Sequence, residues 1–211
     1  MIPRPNPKLV EALLPAYAPC PNFGSCPEAV WDPRCGHIPR GFLGATGTLA
    51  EVEVVMLFAE PGHAHGGEGY DPALGAEGLL MAGVGHSFRS FRDGCDLFHR
   101  NARWFLSQLW PDLPFEAQLR RVWMTEGRLC SIADETGRRS DRLCADHYLA
   151  RQLSLLPGAT VVAFGGKAAQ ALRGRDGWLR AYALAPPGAN HRPARPSWEA
   201  AIRAVRAKRG R

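Results

Sequence analysis

SDRLCADHYLARQLSLLPGATVVAFGGKAAQAL, residues 140–172, holds a helix, a stop, a strand and the start of a second helix, in that order. Ser140 or Asp141 is suited to cap the first helix (140–156), which ends before Pro157-Gly158. TVVAFG (160–165) is an apolar, β-branched run of strand length. GKAAQALRG (166–174) then begins a helix directly on the glycines that close the strand. Working outward, VEVVMLF (52–58), RVWMT (121–125) and LRAYAL (179–184) repeat the strand texture. DLFHRNARWFLSQLW (96–110) spaces Leu97, Phe98, Trp104, Phe105, Leu109 and Trp110 for one helical face, and SWEAAIRAVRAKR (197–209) predicts a final helix capped by Ser197. Strand and helix alternate four times. The expected fold is therefore a three-layer α/β/α domain around a central four-stranded, mainly parallel sheet. In such sheets ligands bind outside the carboxyl ends of the strands, so the loops after residues 58, 125, 165 and 184 are the ones to search.

The 211 residues fit a single domain, 1–211, of ordinary size. Hydrophobic residues at 45% and charged residues at 22% are globular values, and no apolar run approaches the roughly 20 residues of a membrane helix. The opening MIPRPNPKLVEALLPAY is broken by prolines and does not read as a secretory signal. A cytoplasmic, nucleoid-associated protein with reduced cysteines is expected. The formal charge of +6 is concentrated, because Arg203, Arg206, Lys208, Arg209 and Arg211 form an acid-free tail and the remainder is close to neutral. That tail reads equally as a solvated end or as a phosphate-binding surface.

Residues 1–45 are rich in proline, carry Cys20, Cys26 and Cys35, and show no sustained period. Something other than a hydrophobic core is expected to hold them. Cys20 and Cys26 lie in CPNFGSC, while Cys130 and Cys144 form a second local pair. Together these four thiols suit a [4Fe–4S] cluster or a structural zinc. Proline follows both Cys20 and Cys26, which favours iron; Cys35 is the alternative N-terminal ligand, and Cys95 reads as packing.

MLFAEPG (56–62), MTEGRLC ending at Cys130, the block from Cys144 to Leu172 and NHRPARPS around His191 together resemble the uracil-DNA glycosylase superfamily, and most closely its iron–sulfur, family 4-like branch. The Cys144 to Leu172 block carries the resemblance furthest; the motif after the first strand and the histidine loop diverge from the family. The resemblance implies a monomeric DNA-repair glycosylase that flips a deaminated base and hydrolyses its N-glycosidic bond with water.

Under that resemblance Glu60 stands where relatives often have an asparagine that positions the attacking water, and a carboxylate there is able to take the water's proton. Glu126 replaces the asparagine that reads the uracil edge. Ionised, it accepts from N3–H but repels O4, so it reads uracil fully only if protonated or helped by a donor; hypoxanthine and xanthine are therefore candidate bases beside uracil. A pairing of Glu126 with Arg128 is the bland alternative. His191 takes the place of the histidine that stabilises the departing base. Tyr70 is the candidate stacking ring, with Phe88 and Phe91 behind it, and Asn101 is a candidate pocket amide. Arg192 and Arg195, stiffened by prolines, resemble a minor-groove element. His63 and His65 are loop residues able to touch phosphate, and Gly165, Gly166 and Lys167 open a helix at which N–H groups favour phosphate. No lysine stands at a motif position, which argues against a Schiff-base step. The alternative function is a non-catalytic DNA- or nucleotide-binding module on the same fold.

Overall fold

The computed structural model describes residues 2–26, 28–64, 66–132 and 142–209. Four of the sequence readings lie outside them: the Ser140/Asp141 cap, His65, Arg211 and the side chain of Arg209. The described elements run α1 (Pro7–Leu13), β1 (Leu43–Gly44), β2 (Val54–Phe58), α2 (Gly75–Asp93), α3 (Leu97–Leu109), α4 (Phe115–Arg121), β3 (Val122–Glu126), α5 (Arg142–Cys144), α6 (Ala150–Ser154), β4 (Thr160–Phe164), α7 (Gly166–Ala171), β5 (Leu179–Ala181) and α8 (Ala194–Arg209). A π-helical turn, Ala145–Leu149, joins α5 to α6.

The sheet has five strands, not four, in the order β1-β3-β2-β4-β5. β2, β3, β4 and β5 are parallel, and β1 adds antiparallel to β3 with Leu43 opposite Met124. The extra strand is two residues long, too short for any alternation. It is allowed by Gly44, whose φ is +110° and where a Cβ would stand 2.1 Å from the carbonyl oxygen of Val122. No L side chain fits that approach.

Helices cover both faces. Leu57 and Ala163 pack with Ala145, Leu149, Ala168, Ala171 and Leu172 on one side, while Met56, Val162 and Phe164 belong to the larger core under α2, α3 and α8. The π turn sets Gln152, fully buried, beneath β3: its Oε1 accepts from Trp123 Nε1 at 2.9 Å and from Thr125 Oγ1 at 2.8 Å.

Two further readings change, and one helix lies where no element was expected. Residues 1–45 are held partly by the main core, since Leu9, Leu13, Ile38 and Phe42 are at most 1% exposed and belong to its cluster. The helix is α2, in a glycine-rich stretch against which the N-terminal segment packs; a Cβ at Gly83 would meet Ile38 Cδ1 at 3.4 Å. The last helix starts at Ala194, so Ser197 does not cap it and instead accepts from the Tyr182 N–H at 3.0 Å. The described part of the basic tail, Arg203 to Arg209, is the end of that helix, with Ile202 and Val205 buried and Lys208 donating to Gly177 O beside the start of β5. It therefore lies at the opposite end of the sheet from the loops that follow the strands. No described helix is long and apolar enough to cross a membrane.

Candidate functional site

Taken in chain order, β2 connects to β3 on one side and β4 continues on the other, so the strand order reverses between β2 and β4. In an open α/β sheet the ligand crevice is expected at this point, outside the carboxyl ends of β2 and β4. Glu60 follows β2 and Lys167 follows β4, and there Lys167 Nζ forms an ion pair with Glu60 Oε1, with side chains 30% and 12% exposed. Lys167 is the site residue that sequence reasoning misplaced: it meets a carboxylate rather than offering a helix end to phosphate. A lysine does stand in the site. Engaged by Glu60 as an ammonium, it has no lone pair with which to attack a sugar.

Glu126 ends β3 opposite Phe58 in the register, so it lies beside the start of the Glu60 loop. The ladder continues past both strands, Gly127 N donating to Phe58 O and Arg128 N to Ala59 O, each at 2.9 Å. Glu126 is 4% exposed, and its Oε2 is buried without a hydrogen-bond partner. Gly41, at φ +89°, makes room for it, because a Cβ there would lie 2.5 Å from Glu126 Oε1. Burial foremost, then the charge of Glu60, pushes this carboxyl well above the usual carboxylate range, against a weaker opposing pull from Arg40. Such a shift favours the neutral acid, the state in which a carboxyl both donates and accepts. A pairing with Arg128 is not what holds it; Arg128 lines the cysteine pocket instead.

Tyr70 does not lie free as a stacking platform. Its hydroxyl donates to Glu68 Oε1 at 2.5 Å, and burial followed by that bond raises its pKa. Glu68, with a side chain 1% exposed, also faces Arg40 Nε at 3.9 Å and His86 Nε2 at 3.6 Å. Arg40 ties the N-terminal segment to the Glu60 loop: Nη1 donates to Gly36 O at 2.6 Å and Nη2 to Gly62 O, while Ser131 Oγ donates to the same Gly62 oxygen at 3.2 Å. No signal in the sequence marks Arg40. Phe88 and Phe91 are buried in the core, and His63 is exposed with its ring 6.2 Å from that of His37.

Asn101 donates from Nδ2 to Leu184 O at 2.8 Å and so pins α3 to the loop after β5. That loop carries His191 at the same end of the sheet. His191 is exposed, its ring 6.1 Å from that of Tyr182, and no described contact joins it to Glu60 or Glu126. Arg192 is exposed. Arg195 sits in the first turn of α8, not in the loop, and is engaged by Trp104, 3.2 Å from its ring centroid, and by Glu199 at 3.5 Å.

Cys20, Cys26, Cys130 and Cys144 line one pocket together with Arg128 and Tyr148. Burial pushes Cys144 up to about 12 and Cys130 higher, and each is also raised by Cys20 and Cys26, as converging thiols require. Donors already face the sulfurs: Tyr148 Oη to Cys20 Sγ at 3.1 Å, Asn22 N to Cys20 Sγ at 3.4 Å and Leu129 N to Cys144 Sγ at 3.4 Å. Such bonds and the Arg128 cation suit thiolates. Cys35 is outside this group, exposed at a short 3₁₀ turn capped by Asp32. Cys95 is exposed rather than packed, and with Asp96 and His99 offers three ligand atoms within 4.8 Å of one another. Among the described residues no other such trio occurs. No three of the four pocket sulfurs therefore approach as closely as the roughly 3.8 Å edge of a tetrahedral zinc–thiolate site. Comparison with protein-family models and with curated proteins gives no match for this chain.

Proposed function

We propose that this chain is a DNA glycosylase, of the iron–sulfur kind that its motifs resemble, and that it hydrolyses the N-glycosidic bond of uracil or of a deaminated purine. The observation that carries the reading is the pair of carboxyl groups at the sheet's switch point, one in an ion pair with Lys167 and the other buried with an unpartnered oxygen and its pKa raised by that burial. Environments that split two carboxyl groups in this way mark an acid–base site. Glu60 orients the attacking water and takes its proton. Glu126 reads the lactam edge of the flipped base, accepting from its N–H and donating to its carbonyl. His191, on the loop after β5, reaches the base when DNA is bound, and Arg192 meets the backbone.

Cys20, Cys26, Cys130 and Cys144 would hold a [4Fe–4S] cluster. The N–H···S and O–H···S donors around them suit metal-bound thiolates, and the prolines after Cys20 and Cys26 favour iron over zinc. When bound, the cluster supplies a cross-link and no redox step. It ties the N-terminal segment to the strand-end segment that carries Glu126 and Cys130. A purified protein is then brown; a colourless one holding a single zinc ion would assign these cysteines to zinc.

A competing reading, a non-catalytic DNA- or nucleotide-binding module, draws on the Lys167–Glu60 ion pair and on the exposure of His191. The two separate on duplex oligonucleotides carrying a single uracil, hypoxanthine, xanthine or normal base, assayed by alkali cleavage with wild type and Glu60→Ala. Release of a deaminated base by wild type alone supports the enzyme. Binding without release from any base supports the module.

A further inference from the structure

Glu126 has one carboxyl oxygen, Oε2, buried with no hydrogen-bond partner, at the end of β3 beside Phe58, from which the Glu60 loop departs. A group so placed is more than an edge reader. We infer that Glu126 is the proton donor to the departing base, a role that rests on the glycosylase reading above. Water oxygen attacks C1′ as the C1′–N bond breaks, and the bonding electron pair leaves with the base. Glu60 accepts the water's proton, and Glu126 delivers its own proton to the carbonyl oxygen of the lactam edge, so the base departs neutral. One water is consumed, and the sugar gains a hydroxyl. Glu60 finishes protonated and Glu126 ionised, and exchange with solvent through the partly exposed Glu60–Lys167 pair restores both.

Three features carry this assignment. The neighbours that act on the Glu126 carboxyl are Glu60 from the loop after β2 and Arg40 from the N-terminal segment, with Lys167 reaching it only through Glu60. Gly41 fixes the side chain against the backbone of the N-terminal segment, so its direction is set before substrate arrives. His191 is exposed with no described contact to Glu60, whereas Glu126 lies beside the start of the Glu60 loop. Proton delivery matters most for a poor leaving group, because the charge it offsets appears only in the transition state.

The test is single-turnover base release by the cluster-loaded protein on duplexes holding uracil or 5-fluorouracil, the latter leaving more readily as an anion. Glu126→Gln keeps the shape of the neutral acid but has no proton to transfer. It is expected to slow uracil release by about 10²–10⁴-fold and 5-fluorouracil release far less. The wild-type rate falls with rising pH as Glu126 ionises, and this limb is missing in Glu126→Gln. Equal losses on both bases, or an alkaline limb retained in the variant, would overturn the assignment while leaving the glycosylase reading intact. No release by wild type from either base would instead defeat that reading, and this role with it. Should the variant misfold, the wild-type pH limb decides: a rate flat across it excludes Glu126 as the donor.

Discussion

Replacing Arg40 with methionine tests the claim that one buried guanidinium ties the Glu60 loop to the N-terminal segment. The side chain is 9% exposed and donates to the carbonyls of Gly36 and Gly62, beside Glu68, which is 1% exposed. Each charge-assisted bond is worth about 1.5–3 kcal/mol, and Glu68 loses the guanidinium beside it, keeping the Tyr70 hydroxyl and facing His86. Methionine recovers part of the packing but none of the charge. The net cost is about 3–5 kcal/mol, as for other buried pairs broken on one side. For a chain of this size that lowers the melting temperature by roughly 10 °C. The assay is thermal and denaturant unfolding of the cluster-loaded protein, with Arg40→Met, Glu68→Gln and the double variant in one cycle. The double variant should recover about 2 kcal/mol of the summed single losses. A loss below about 1 kcal/mol in Arg40→Met, or a coupling within about 0.5 kcal/mol of zero, refutes the idea that Arg40 and Glu68 form one buried unit.

Cys130→Ser and Cys144→Ser should each lose the broad absorption at about 400 nm and unfold at lower temperature, whereas Cys35→Ser should match wild type in both; colour lost in Cys35→Ser would place it among the ligands. Gln152→Leu strands the indole N–H of Trp123 and the hydroxyl of Thr125 in the core, a cost of about 2–4 kcal/mol readable by urea unfolding, and a cost under about 1 kcal/mol would contradict the network. Because the folded-state pKa of Glu126 is raised, the folded form binds the extra proton. Its contribution to stability is full below about pH 4 and is lost as pH rises through the raised value, so Glu126→Gln should gain on wild type progressively as pH rises from about pH 4. A stability difference that does not change with pH would contradict a raised Glu126 pKa. Borohydride should trap no covalent complex with abasic DNA, since Lys167 is engaged by Glu60; a trapped species lost in Lys167→Met would reveal a lyase step.

Three strands were legible as short apolar runs with β-branched residues and the fourth, LRAYAL, as a short run after them, and their observed bounds fall within two or three residues of those expected. β1 was not, because it depends on the φ of Gly44 and on space beside Val122 rather than on any pattern of side chains. α2 was hidden by its glycines, which read as a loop until the N-terminal segment is packed against them. The thiol set was legible from paired spacings and resemblance, but the exclusion of Cys35 needed the fold. Glu60 and Glu126 were visible as departures from a familiar motif. Their contrasting environments were not, since these come from the burial of Glu126 beside Gly41 and from Lys167, more than a hundred residues from Glu60 in sequence. Lys167 follows β4 much as Glu60 follows β2, so the strand order, once known, brings them together; no local signal does.

The most direct test of the central claim is mass-spectrometric detection of free base from uracil- and hypoxanthine-containing duplexes incubated with cluster-loaded wild type and Glu60→Ala. The account predicts free base from wild type in a one-to-one ratio with alkali-labile sites, on strands that stay intact until alkali is added, and none from Glu60→Ala. Duplex bound with no free base released, or equal release by Glu60→Ala, would contradict it.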